Sequence, residues 1–360
     1  MKKLLSNRFL YEPSGLRSSV AGPQSEAIEA VRHKLINGQY NLRTDECPCG
    51  GPQNDVIIAE VDRYGLPLTT VVCLDCGTLR LDPYLDAESL EDFYLHFYQQ
   101  MYARARDMNA YIEQQQAYGT KIYSVAPASL PSHGWIFEVG CGAGGALKIF
   151  QERGYRVAGC DYSARLVAEA RKNGIEHACH GTLAEIGKAL GGVRADLIYL
   201  HHVFEHLNEP LDFLLTSRQH LNEDGWLVLV VPDVSRIDGF ANPDGDLLVF
   251  LHLAHKFNFS LEGMRRLCRR AGYEVTTLSP DPMIKTTAST MPELWLELRQ
   301  AQQTIQTNNN NSHGLLGEQM WQYLAETERQ YLRRQRREQI AARLQRVSPR
   351  RILRKLHLPS

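Results

Sequence analysis

The stretch Phe137-Glu138-Val139-Gly140-Cys141-Gly142-Ala143-Gly144-Gly145 constrains this chain more than any other. An apolar run ending in glycines at 140, 142, 144 and 145 reads as a buried strand turning sharply into a helix. Without Cβ atoms, the main chain there can approach a ligand closely. The pattern repeats downstream, with short apolar strands at 156–160, 175–179, 196–200 and 226–231 separated by helical stretches. Ser163 caps one helix, and 260–271 forms another that stops at Gly272. This alternation predicts an α/β fold, a Rossmann-like parallel sheet covered by helices on both faces. Residues 273–278 and 283–288 are expected to close the sheet as a hairpin.

The glycines fit two templates. Gly140-x-Gly142-x-x-Gly145 matches the dinucleotide fingerprint, and Gly140-x-Gly142-x-Gly144 matches the S-adenosylmethionine loop. Both expect an acid about 20 residues later for ribose hydroxyls, and Asp161 supplies it. Spacing alone does not choose; charge does. A pyrophosphate seeks the amide N–H groups of a helix start and would be repelled by Glu138. An ammonium and a sulfonium would be drawn to it.

Four motifs then stand in order: Glu138 with its glycines, Gly159-Cys160-Asp161-Tyr162-Ser163, the run from Ala195 through His206-Leu207, and Leu221-x₃-Gly225-Trp226 leading to Val231-Pro232. Over about 131–290 the chain resembles the class I S-adenosylmethionine-dependent methyltransferases. Paired cysteines upstream, Leu81-Asp82-Pro83, His255-x₃-Phe259-Ser260 and Ala271-Gly272-Tyr273 make it similar to bacterial zinc-ribbon methyltransferases, including sugar C-methyltransferases and polysaccharide-cluster relatives. The resemblance implies that Glu138, Gly140, Cys141, Gly142 and Gly144 cradle the methionine part of the donor. It gives the ribose to Asp161 with Tyr162 beside it, the adenine to Thr182 and Leu183, and closure over the donor to Leu200 and His201. His180-Gly181-Thr182 departs from the usual Gly-Asp at the third strand.

His202-Val203-Phe204-Glu205-His206 also spells a zinc-peptidase signature, but a peptidase needs it on a long helix, not after a parallel strand. Two functional readings stay open. Glu205 and His206 line an acceptor pocket and one is the general base, or Glu205, His206 and His202 gather a divalent ion. A helix-capping Glu205 is the bland alternative. His255, after the fifth strand, is a further catalytic candidate. Tyrosines 94, 98, 102, 111 and 118 either wall the cleft or pack as core.

Cys47-Pro48-Cys49-Gly50 and Cys73-Leu74-Asp75-Cys76-Gly77 form two tight turns that can aim four thiolates at one point, predicting a structural zinc ion. The expected divisions are a flexible arm over 1–40, the ribbon over 41–82, a helical linker and cleft cover over 83–130, the methyltransferase domain over 131–290, and a polar linker with a basic helical tail over 291–360.

The overall charge of −1 hides an asymmetry, because residues 328–360 carry ten Arg and one Lys against two Glu, leaving −10 for the remainder. The tail could touch an anionic membrane face or another polyanion. No apolar run is long enough to span a membrane, and the start, Met1-Lys2-Lys3-Leu4-Leu5, lacks the apolar core of a secretion signal, so a cytoplasmic location is expected. The reading is a methyltransferase acting on a sugar, nucleotide-sugar or glycan precursor. An RNA methyltransferase gripping its substrate with ribbon and tail is the alternative, weakened by the lack of interleaved aromatics in the tail.

Overall fold

The computed structural model describes residues 1–12, 22–102, 107–239, 245–280, 291–301 and 313–346. A proline in the first turn starts α1 (Pro23–Ile36). Next come β1 (Leu42–Arg43), then β2 (Asp55–Ala59), β3 (Thr70–Cys73) and β4 (Leu79–Leu81), whose β-branched and aliphatic residues suit a pleated sheet, and β5 (Tyr84–Leu85), which pairs with β1. Asp86 caps α2 (Ala87–His96) by accepting from Ser89 N; α3 (Tyr98–Tyr102) follows, and Asp107 caps α4 (Met108–Val125) through Ala110 N.

From there strands and helices alternate: β6 (Trp135–Val139), α5 (Gly145–Gln151), β7 (Arg156–Asp161), α6 (Ala164–Lys172), β8 (His177–His180), α7 (Leu183–Ala189), β9 (Ala195–His201), α8 (Pro210–His220) and β10 (Leu221–Pro232). The chain ends with β11 (Phe257–Asn258), α9 (Leu261–Arg270), β12 (Tyr273–Thr277), β13 (Glu293–Gln300) and α10 (His313–Arg346). The central sheet runs β12-β13-β10-β9-β6-β7-β8, with β13 antiparallel to both neighbours and the five strands from β10 to β8 parallel.

Alternate residues feed two cores. Phe137, Ile198, Leu200, Leu227 and Leu229 pack on one face; Ile136, Leu197, Tyr199, Val228 and Val230 pack on the other. The fold is thus the Rossmann-like class I methyltransferase sheet, covered on both faces as the alternation predicts.

Three expectations need correction. The partner of β12 is β13, not the expected 283–288 segment, which lies outside the described residues. β13 therefore belongs to the sheet although 131–290 was expected to contain it all. Residues 1–12 are not a loose arm: Lys3 N donates to Ile57 O at 2.8 Å, and Phe9 is wholly buried. Within β10 the register with β9 shifts between Leu221 and Trp226.

The ribbon is not a separate appendage. β11, from the segment after β10, pairs with β4 to make a four-stranded sheet, β11-β4-β3-β2. Ser260, the N-cap of α9, donates its hydroxyl to Cys76 O. The segment carrying His252 and His255 is thereby fastened to the cysteine turns.

Candidate active site at the carboxyl ends of the sheet

Strand order reverses between β6 and β9, opening a crevice at the carboxyl ends of the parallel strands. At the end of β6, Glu138 is buried beside Tyr199, and its Oε2 has no hydrogen-bond partner. Burial pushes its carboxyl up to about 8. The glycines after it take left-handed φ values of 76° at Gly140, 52° at Gly142 and 78° at Gly144. A Cβ on Gly142 would stand 2.4 Å from both Tyr111 Oη and Gln115 Nε2, so helix α4 lies directly over the loop.

Gln115 clamps that loop. It donates to Cys141 O at 3.0 Å and accepts from Ala143 N at 3.1 Å and Gly145 N at 3.3 Å, satisfying donors that the start of α5 leaves open. Asp161 braces it from the other side, with Oδ2 accepting from Gly142 N at 2.9 Å and Oδ1 from Ser163 N at 2.8 Å. Tyr162 is 69% exposed, Thr182 is exposed at the N-cap of α7, and the His201 ring lies 4.1 Å from that of Tyr118. Leu183 and Leu200 are buried in the sheet's core with Ile186 and Ile198, and Cys141 is buried in the opposite core. Side-chain period decides this, since Leu200 shares its face with Ile198 and leaves the other to His201.

Beyond β9 the charged groups gather. His202 has φ 54°, a backbone conformation uncommon outside glycine. Its Nε2 lies 2.9 Å from Glu293 Oε1 and its Nδ1 lies 3.4 Å from Glu205 Oε1. Glu205 is wholly buried with neither carboxylate oxygen in a hydrogen bond, while His206 Nε2 and His255 Nε2 each stand 3.9 Å from Oε1. Burial alone would raise the Glu205 carboxyl, but His202, His206 and His255 bring it down to about 2. Burial would likewise lower His202, yet Glu205 and Glu293 raise it to about 10. Glu293, the first residue of β13, also accepts from Lys121 Nζ at 3.1 Å and Trp295 Nε1 at 3.0 Å.

His206 is the opposite case. Its Nδ1 is 2.7 Å from Ala254 O, and a carbonyl only accepts, so Nδ1 carries the proton. Nε2 is left with a lone pair, and burial lowers the group below the ordinary histidine value. Burial also holds His255 well below it. The edges of a shell with bonds of about 2.1 Å are about 3.0 to 3.4 Å. The 3.9 Å separations around Glu205 are wider than those edges, although Glu205, His206 and His255 still present ligand atoms within 4.8 Å of one another.

His202, His206, His252 and His255 line a cavity of about 200 Å³, with Tyr98, Tyr102 and Arg63 as further walls, while Glu205 and Glu293 lie behind the histidines. An outer hollow of about 680 Å³ shares Arg63 and Val249 with it and reaches Arg8 and Asp246. Of the five tyrosines, Tyr98 and Tyr102 line this cavity; Tyr94 Oη lies 3.0 Å from His206 Nδ1 behind them, and the Tyr102 ring lies 4.8 Å from that of His252. Sequence reasoning missed Gln115, His252 and Glu293. Glu293 had a signal, because it opens the apolar alternation Leu294, Leu296, Leu298, a half-buried strand by period.

Apart from this centre, Cys47, Cys49, Cys73 and Cys76 are buried together with their sulfurs within 4.8 Å of one another. Sγ separations are 3.6 Å for Cys47–Cys76 and 4.0 Å for Cys49–Cys73. A tetrahedral zinc shell with bonds of about 2.3 Å has edges of about 3.8 Å, so these residues fit that ion. Gly51 N and Thr78 N point at Cys49 Sγ and Cys76 Sγ, each at 3.4 Å, as donors to thiolates would.

Residues 111–278 match the family model described as a methyltransferase domain. The C-methyltransferase NovU of Streptomyces niveus is 25% identical over 213 residues, which are 58% of this chain and 47% of that protein. The chain thus spans about half the length of the curated relative it matches. Among solved structures, the mitomycin 7-O-methyltransferase MmcR shares 14% identity over 60% of this chain and 58% of its own, with a TM-score of 0.41. The plantazolicin methyltransferase BamL, in complex with a triazolic desmethylPZN analog and SAH, shares 16% over 52% and 84%, with a TM-score of 0.40. Over residues 111–278 the chain is thus similar to methyltransferase domains, on a Rossmann-like sheet.

Proposed function

We propose that this protein moves a methyl group from S-adenosylmethionine to a sugar, nucleotide-sugar or related small acceptor. The observation that carries the acceptor reading is the cavity at the strand ends, where His206, its Nδ1 proton given to Ala254 O, presents Nε2 to take a proton. Glu138, the glycine loop and Asp161 hold the donor's charged and ribose portions, and Gln115 keeps the loop in shape. Tyr98 and Tyr102 exclude water and offer flat faces to a ring-sized acceptor. Arg63, between the inner cavity and the outer hollow, suits an anionic extension of that acceptor.

Zinc held by Cys47, Cys49, Cys73 and Cys76 leaves no open coordination position and serves the fold. An RNA substrate has less in its favour. Arg80 is buried against Asp55, Arg63 lies in the cleft, and the exposed Arg43 pairs with Asp45 and Glu209, so the ribbon offers no outer basic patch. No helix among the described residues is long and apolar enough to cross a membrane. A surface role for the basic tail rests on α10 and on residues 347–360, the latter outside the described residues.

The test is calorimetry with S-adenosylhomocysteine, NAD and an RNA oligomer, then labelled-methyl transfer to a panel of nucleoside-diphosphate sugars. Heat with S-adenosylhomocysteine alone is expected. His206→Ala should cut turnover at least 100-fold and leave that heat unchanged. Full turnover in the variant removes His206 as the base.

A further inference from the structure

We infer that His202 is a fixed imidazolium of the acceptor pocket, held by two buried carboxylates to stabilise negative charge that develops on an acceptor oxygen. The argument begins with its two ring nitrogens. Nε2 faces Glu293 Oε1 at 2.9 Å and Nδ1 faces Glu205 Oε1 at 3.4 Å. A neutral imidazole has one N–H, so one carboxylate would confront a lone pair. The doubly protonated ring turns a positive N–H toward each carboxylate.

Charge balance gives the same answer independently. Glu205 and Glu293 are two buried anions, and Lys121 is a buried cation 3.1 Å from the second of them. A second cation is needed to avoid a net buried charge. His206 already gives its Nδ1 proton to Ala254 O and burial disfavours a second proton on it, while burial likewise disfavours the charged form of His255 beside His206 and Glu205. His201, 3.5 Å from Glu293 through Nε2, is packed against Tyr118. His202 is the remaining candidate, and the left-handed backbone there is retained where it delivers the ring between the two acids.

The ring is not sealed away. It lines the cavity that His206 also lines, and its Nδ1–H stands beyond ordinary hydrogen-bond length from Glu205. The site therefore holds a neutral base and a cation around one ring-sized space. That pairing suits a carbon acid next to a carbonyl, or a weakly acidic hydroxyl. His206 Nε2 takes the proton, and the electron pair of the broken C–H or O–H bond spreads toward the oxygen beside His202. The nucleophilic carbon or oxygen then bonds to the methyl carbon as the methyl–sulfur bond breaks with its electrons passing to sulfur, and the proton on His206 leaves to solvent. The chemical step rests on the proposed methyl transfer; the charge state of His202 does not.

Two measurements on the full chain with its metal retained test this. The first is an imidazole ¹⁵N NMR titration without substrate, with the His202 signal assigned by its loss in His202→Asn. His202 should stay doubly protonated through pH 8, and in Glu293→Gln should titrate at least tenfold more easily; a singly protonated ring at pH 7 in the unaltered protein overturns the proposal. The second is absorbance titration of 4-nitrophenol into the S-adenosylhomocysteine complex. The unaltered protein should hold the phenolate at least tenfold more tightly than His202→Asn, at equal S-adenosylhomocysteine affinity; equal phenolate binding overturns the oxyanion role. Failure to bind S-adenosylhomocysteine would sink the methyltransferase reading while the NMR result stands.

Discussion

Glu138 is buried and His202 half-buried at the strand ends, and their neighbours set opposite charges. Glu138 has Tyr199 but no cation, so burial raises its carboxyl to about 8 and the ligand-free protein carries it protonated at neutral pH. The unfolded chain would have released that proton above the ordinary glutamate value of about 4.3. Glu138 therefore lowers stability as pH rises from there to about 8, because only the folded state still holds the proton. Donor binding has the reverse slope: a cationic ligand requires the carboxylate, so below pH 8 it must expel the proton. S-adenosylhomocysteine affinity of the unaltered protein, taken as a ratio to Glu138→Gln, should rise toward pH 8 by up to about tenfold per unit and then level off. Calorimetry between pH 6 and 9 measures this; a flat ratio refutes it. The carboxylate's presence was legible from its place before Gly140, but its protonation was not, because that depends on what surrounds it in three dimensions.

At the scale of elements, α4 and the cysteine turns act on the site from outside it. Gln115 is 8% exposed and makes three hydrogen bonds to the glycine loop. Gln115→Ala leaves two loop N–H groups and a carbonyl without that partner, which should cost about 2 kcal/mol in urea denaturation and weaken donor binding. The cysteine turns support the other wall, since β11 pairs with β4 and Ser260 is bonded to Cys76 O. Cys73→Ser should remove the single expected zinc ion and lower the melting temperature. Acceptor-side turnover should fall more than S-adenosylhomocysteine affinity, as metal analysis and calorimetry together would show. Cysteine spacing forecast the cluster; its attachment to the His255 segment depended on a strand of two residues that no periodicity announces.

Across the whole molecule, distant parts of the chain meet in one buried ion-pair network. Arg8 donates to Glu328 through Nε at 2.7 Å and through Nη2 at 2.8 Å, and to Asp246 at 2.6 Å, while Ser6 donates to Glu328 at 2.6 Å. Glu328 is 1% exposed, so Arg8→Ala strands a buried carboxylate and should cost about 3 kcal/mol, read from the denaturation midpoint. A loss below about 0.5 kcal/mol would class the network with solvent-exposed pairs. The N-terminal segment and the first half of α10 thus close one core with the ribbon, where Phe9, Val72, Met320 and Leu324 pack together.

Local order was written in the chain because it arises from neighbours in sequence. Alternating apolar strands and helices, Ser163 and Ser260 as caps, and glycines where φ must be positive all follow from period and backbone freedom. The sequence by itself also determined that four cysteines and a histidine–glutamate group were available. Tertiary structure alone decided that Glu293 joins His202, that Leu183 and Leu200 turn into the core, and that His206 meets a backbone carbonyl while His202 lies between two acids. Burial and charge are properties of surroundings, and those surroundings exist only after residues 91 positions apart, such as His202 and Glu293, have been brought within 2.9 Å.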